Sequence, residues 1–200
     1  MLLQQTCTPI APGNRIFKYA DDTYLVVPAA NSSMCMTEIA HIEAWAASNN
    51  LKLNCFKSKE IVFTARGKRG KTALPPSPCP NIERVSSHRV LGVILNNRLT
   101  ATDHVDQLMS SCSSLLYALR VLRSHAIPLT SLQDVFRATI VAKIMYCAPA
   151  WSGICSAAER LRLDPFLNRC KRIGFCATDL PSVTELQSDA DDVLLVCLRQ

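Results

Sequence analysis

None of the ten cysteines stands in a Cys-x-x-Cys pair, and none joins a histidine at zinc-binding spacing. Cys170 and Cys176, or Cys147 and Cys155, are spaced for neither a zinc knuckle nor a disulfide framework. A small domain stapled by metal or disulfides is therefore excluded, and reduced thiols packed as small hydrophobes are expected. The stretch "MLLQQTCTPIAPGN" lacks the apolar core of a signal peptide. No apolar run approaches the roughly 20 residues that a membrane span needs. These absences predict a soluble intracellular protein, cytoplasmic or nuclear, with no membrane partner. The histidines, His41, His88, His104 and His125, have no partners at catalytic or metal spacing, and no internal repeat is evident.

What is present is a chain of 200 residues, 48% hydrophobic, enough for a real core in one or two domains. Its net charge of +6 is concentrated. Lys52, Lys57, Lys59, Arg66, Lys68, Arg69 and Lys71 fall in one window against Glu60 alone. Such a stretch suits a polyanion such as nucleic acid, and a solvated basic loop fits the charge equally well.

"RIFKYADDTYLVVP" reads as strand, turn, strand, with arms Ile16–Tyr19 and Tyr24–Val27 and with Asp21 and Asp22 at the reversal. Two adjacent acids in an apolar stretch need an explanation. Two anions about 4 Å apart repel by roughly 4 kcal/mol at an effective dielectric of 20. Either open water or a cation must relieve that. A serine-capped helix is expected across 31–50, then strands at "LKLN" and "EIVF", a basic and proline-rich loop over 64–80, and a strand at "RVLGVIL" with a turn at Asn96-Asn97. Beyond residue 99 the period changes to 3.6. Val105, Leu108, Met109, Cys112, Leu115, Leu116, Leu119 and Leu122 form one stripe, and Leu132, Val135, Phe136, Thr139 and Ile140 a second. "SAAE" from Ser156 and "SVTE" from Ser182 are capping-box signatures. The expected fold is α+β, with a mixed segment over 1–99 and a helical one over 100–200.

"KYADDTYLVV", "NNLKLNCFKSK", "RVLGVIL" and the helical tail, in this order, resemble reverse transcriptases of non-LTR (LINE-type) retrotransposons, from about Ile16 onward. The resemblance implies a partial polymerase palm followed by a thumb-like helical bundle. It implies RNA-directed DNA polymerisation by two-metal nucleotidyl transfer, with Mg²⁺ as cofactor and an RNA template, an RNA–DNA duplex and a dNTP as partners. Asp21 becomes a catalytic metal ligand, Asp22 the adjacent acid, and Tyr19 a neighbour of the primer end. Lys57 or Lys59 would meet the incoming triphosphate. Gly92 would let the primer strand approach the backbone closely, although an ordinary core strand explains the same residues. Polymerases of this kind draw a second metal-binding aspartate from an earlier strand, whereas the seventeen residues before Lys18 contain no acid. The expectation is thus a fragment inactive alone and prone to self-association through its exposed palm surface. A non-catalytic nucleic-acid-binding fragment of a degenerate element is the alternative.

Overall fold

The computed structural model describes residues 7–64 and 75–198. It is a mixed α+β protein that divides into two compact units, residues 1–86 and 87–200. Among the described residues, no helix is long and apolar enough to cross a membrane.

In the first unit, β1 (Arg15–Tyr19) and β2 (Asp22–Val26) form an antiparallel hairpin, with Tyr19 paired to Asp22 and Arg15 to Val26. A 3₁₀ turn, Ala29–Met34, leads into α1 (Cys35–Ser48). The expected serine cap is not there. Pro28 sets an extended start, Ser32 and Ser33 fall inside the 3₁₀ turn, and α1 begins after Met34 with no side-chain cap. Nor is "LKLN" a strand. Asn50 turns the chain off the helix at φ +57°, and the Asn54 carbonyl accepts from the Lys57 and Ser58 N–H groups. Those turns use the backbone groups that a ladder would need. Of "EIVF" only Glu60 is in a strand. β3 (Lys59–Glu60) pairs in parallel with β4 (Glu83–Arg84), and Arg84 grips Glu60 through two nitrogens.

The first unit also contains a buried carboxylate. Glu38 of α1 accepts from the backbone N–H groups of Ile10 and Ala11 at 3.1 and 2.7 Å and from Asn14 Nδ2 at 2.9 Å. Burial alone would raise its pKa, but these donors and nearby His41 outweigh that and hold it below the usual carboxylate range. Glu38 thereby ties the segment leading into β1 to α1.

The second unit opens with the hairpin β5 (Ser87–Val90) and β6 (Val93–Asn96). From the sequence one strand is expected here, with the boundary between the two segments at residue 99. The chain instead reverses at Leu91-Gly92, φ +46° and +89°, a pair of positive angles typical of tight hairpin turns. Val93 joins the helical core, and the Tyr146 hydroxyl donates to the Leu91 carbonyl at 3.0 Å. Packing, not periodicity, therefore assigns the hairpin to the helical unit. Asn96, buried, organises the descent into α2 (Thr102–Ser124): its amide donates to Thr100 and Asp103 and its oxygen accepts from two backbone N–H groups.

From α2, Val105, Leu108, Cys112, Leu116 and Leu119 enter the core, as the stripe predicts, while Leu122 stays exposed. α3 (Leu129–Phe136) runs through a π-helical stretch, Arg137–Val141, into α4 (Ala142–Met145), and buries Leu132, Phe136, Ile140 and Ile144. Cys147, left-handed at φ +49°, separates α4 from α5 (Ala148–Trp151). Trp151 is completely buried and donates to the Tyr146 carbonyl. Ser156 and Glu159 form the expected capping box of α6 (Ala157–Arg172), and Glu159 also accepts from Thr102 Oγ1 at 2.6 Å, joining the starts of α2 and α6. Pro165 lies inside α6 without ending it. Pro165, which removes the donor of the Leu161 carbonyl, is exposed, as is Leu161. Ser182 and Glu185 make the second capping box, at the start of α7 (Val183–Leu198).

Candidate metal-binding hairpin

The loop between β1 and β2 is only Ala20-Asp21, because Tyr19 and Asp22 still pair. Ala20 takes φ +52°. A positive angle at the first loop residue suits the right-handed twist of the arms, but alanine occupies it at a steric cost that glycine would avoid. Asp22 thus heads β2, and Asp21 alone occupies the loop with Ala20. Both are exposed, so water relieves the repulsion that the sequence raised as a question.

Pairing and alternation sort the remaining side chains. Arg15, Phe17 and Tyr19 share one face with Val26, Tyr24 and Asp22. On the opposite face Lys18 sits 4.0 Å over the Trp45 ring of α1, so that face turns to the helix. The first face is left open, with Phe17 52% and Tyr19 66% exposed. Tyr24 donates its hydroxyl to Asp22 Oδ2 at 3.1 Å and orients that carboxylate. Phe17 and Tyr24 lie on the expected arms, and the alternation F-x-Y and D-x-Y puts them on the face of Tyr19 and Asp22.

Two adjacent aspartates offer hard oxygen donors. Mg²⁺ is usually held by one or two carboxylates, waters and substrate phosphates, so this donor chemistry fits it. No group of three or more His, Cys, Asp or Glu residues suited to a metal occurs among the described residues.

The two candidate lysines differ. Lys59 forms an ion pair with Glu83 across the β3–β4 bridge. Lys57 is exposed, and its ammonium has no hydrogen bond or ion pair among the described residues. Phe56 beside it is 91% exposed. Arg66, Lys68, Arg69 and Lys71 of the basic window lie outside the described residues. Compared with known proteins, the chain matches no protein-family model, no curated protein and no solved structure. Any functional reading therefore rests on the residues themselves.

Gly92 belongs to the second unit. A Cβ there would fall 2.8 Å from the Tyr146 ring, so the space that glycine opens is filled by this side chain. Of the α6 cations, Arg162 pairs with Asp106 at 2.7 Å and Lys171 donates to the Leu180 carbonyl, whereas Arg169 and Arg172 remain exposed.

Proposed function

We propose that this chain is a fragment of a retrotransposon-type reverse transcriptase, in which residues 1–86 supply part of a palm and residues 87–200 contribute thumb-like helices. The observation that carries the reading is the hairpin tip, with two solvent-facing carboxylates in and just after a two-residue loop and Tyr19 paired to Asp22. A turn with a purely structural role is better served by Asn-Gly or Asp-Gly, whereas Ala20-Asp21-Asp22 accepts backbone strain and puts both acids forward. In this reading Asp21 and Asp22 hold divalent metal and Tyr19 flanks the primer end. Lys57, not Lys59, meets the triphosphate, because Lys59 is already paired. When bound, the metal supplies Lewis-acid activation of a hydroxyl and neutralises phosphate charge. The protein's own contribution is to fix the carboxylates on a short, rigid turn.

The 200-residue chain alone is expected to extend no primer with Mg²⁺ or Mn²⁺, since it presents acids from only one strand to the metal. Adding a palm-and-fingers segment of a related polymerase, fused or in trans, should restore extension, and Asp21→Asn should abolish it. Extension by the unsupplemented chain that disappears in Asp21→Asn, or no extension in any combination, would overturn the reading.

The open face of Phe17, Tyr19 and Arg15 favours a second reading, non-catalytic binding of single-stranded nucleic acid by stacking and charge. With four phosphate contacts, log affinity against log salt would slope at about −3. Binding that is salt-dependent but indifferent to Mg²⁺ and to Asp21→Asn would select this second reading over the first.

A further inference from the structure

Cys35, at the start of α1, and Cys79, just before β4, lie far apart in sequence, yet their sulfurs are 3.5 Å apart. No local spacing signals the pair. Cys79 Sγ is also 3.5 Å from Glu60 Oε1 and donates to it, while Arg84 holds the same carboxylate at 2.8 and 3.1 Å. The four side chains form a chain of contacts: thiol, thiol, carboxylate, guanidinium. Cys35 is half-buried and Cys79 is buried.

We propose that Cys35 and Cys79 are a redox couple, which a peroxide-class oxidant closes into a disulfide that staples the start of α1 to the segment before β4. The accessible Cys35 reacts first. Its thiolate attacks one peroxide oxygen and breaks the O–O bond, leaving a sulfenic acid on Cys35 and releasing water after protonation. Cys79 resolves it. Its sulfur attacks Cys35 Sγ as the S–O bond breaks, and the Cys79 proton leaves with the departing hydroxyl as a second water. Two thiols lose two protons and two electrons, and the peroxide is reduced to two waters.

The surroundings set this order. Burial, with Cys35 alongside, pushes the Cys79 thiol up to about 12, so it stays a thiol until it attacks. The Arg84 hydrogen bond holds Glu60 below the usual carboxylate range, so it stays ionised and positions Cys79 by accepting its hydrogen bond.

The full chain, reduced and then treated with hydrogen peroxide, tests the proposal by peptide mapping without reductant. A Cys35–Cys79 cross-linked peptide should form ahead of any other pair and revert with dithiothreitol. In Cys79→Ser, Cys35 should stop at the sulfenic acid and be trapped by dimedone. In Glu60→Gln, trapping of Cys35 should be unchanged while closure slows by about tenfold. In the oxidised chain, amide exchange across α1 should slow by about tenfold or more. Absence of the 35–79 peptide, its appearance no earlier than other pairs, or a Cys35 in Cys79→Ser that dimedone never labels would overturn the proposal.

Discussion

Among the described residues, the second unit has a core and the first has almost none. Every residue of the continuous buried apolar cluster, from Val93 to Val183, belongs to residues 87–200. The buried apolar residues before Ser87 are Cys7, Ala11, Ile42, Ala46 and Cys79, mostly small side chains. The same stretch exposes Phe17, Tyr19, Val26, Leu51, Phe56 and Phe63. In place of apolar packing, the first unit uses polar clamps, Glu38 on the 10–14 segment and Glu60 on Arg84. A unit built this way gains little from the hydrophobic effect, and its open apolar surface is the kind that other chain segments or partners cover. This contrast makes self-association of the isolated chain through the first unit an expected outcome.

Mutations in the two cores should break this comparison most visibly. Phe136→Ala should destabilise the second unit by about 3–5 kcal/mol, because the cavity is walled by packed neighbours. Ile42→Ala should cost at most about 2 kcal/mol, since its surroundings relax easily and admit water. Urea unfolding monitored separately for each unit checks this, and equal costs would mean that the first unit is better packed than its burial indicates.

Glu38→Ala gives the next effect. It leaves three donors without their acceptor, at about 2 kcal/mol, and the loss should appear as faster amide exchange in α1 and β1, with α2 to α6 unaffected. An unchanged exchange pattern would remove the clamp from the account.

Acid should separate the units by a smaller margin. His104 of α2 is buried, and its Nδ1 accepts from the Ile94 N–H at 3.3 Å beside the Trp151 ring. Burial first, and the Arg89 charge second, lower its pKa. The folded state therefore favours neutral histidine. Its stabilisation is complete above the unfolded value near 6.5 and is lost as pH falls through the lower folded value. The Glu38 carboxylate, also lowered, contributes above the ordinary carboxylate range and fails only in stronger acid. Falling pH should thus weaken the second unit before it touches the first, and His104→Phe should flatten that step.

How much of this was readable from residues depends on range. The capping boxes at Ser156 and Ser182 and the α2 stripe were legible because their partners lie within one or two turns. The acids of the hairpin were legible too, since apolar strand formers flank them. The break at Leu91-Gly92 was not, because Leu-Gly is a weak turn signal and the Tyr146 ring that seats it comes from a distant helix. Alternation in "LKLN" misled for a related reason. A period of two says which face is apolar, yet a strand also needs a partner, and here Asn50 and Asn54 turn the chain away from any ladder. The pairing of Lys59 with Glu83 and of Cys35 with Cys79 depends on chain return, which no local pattern encodes.

The chain holds two tryptophans, and each unit has one. Trp151 is sealed in apolar surroundings, whereas Trp45 is partly open beneath the Lys18 ammonium. The protein thus carries its own pair of fluorophores. Trp45→Phe leaves a blue-shifted emitter that reports only on the helical unit. Trp151→Phe leaves a redder one, sensitive to iodide quenching, on the helix that backs the acidic hairpin. Ligand, oxidant or nucleic acid engaging the first unit would then register in one emission band while the other stayed still.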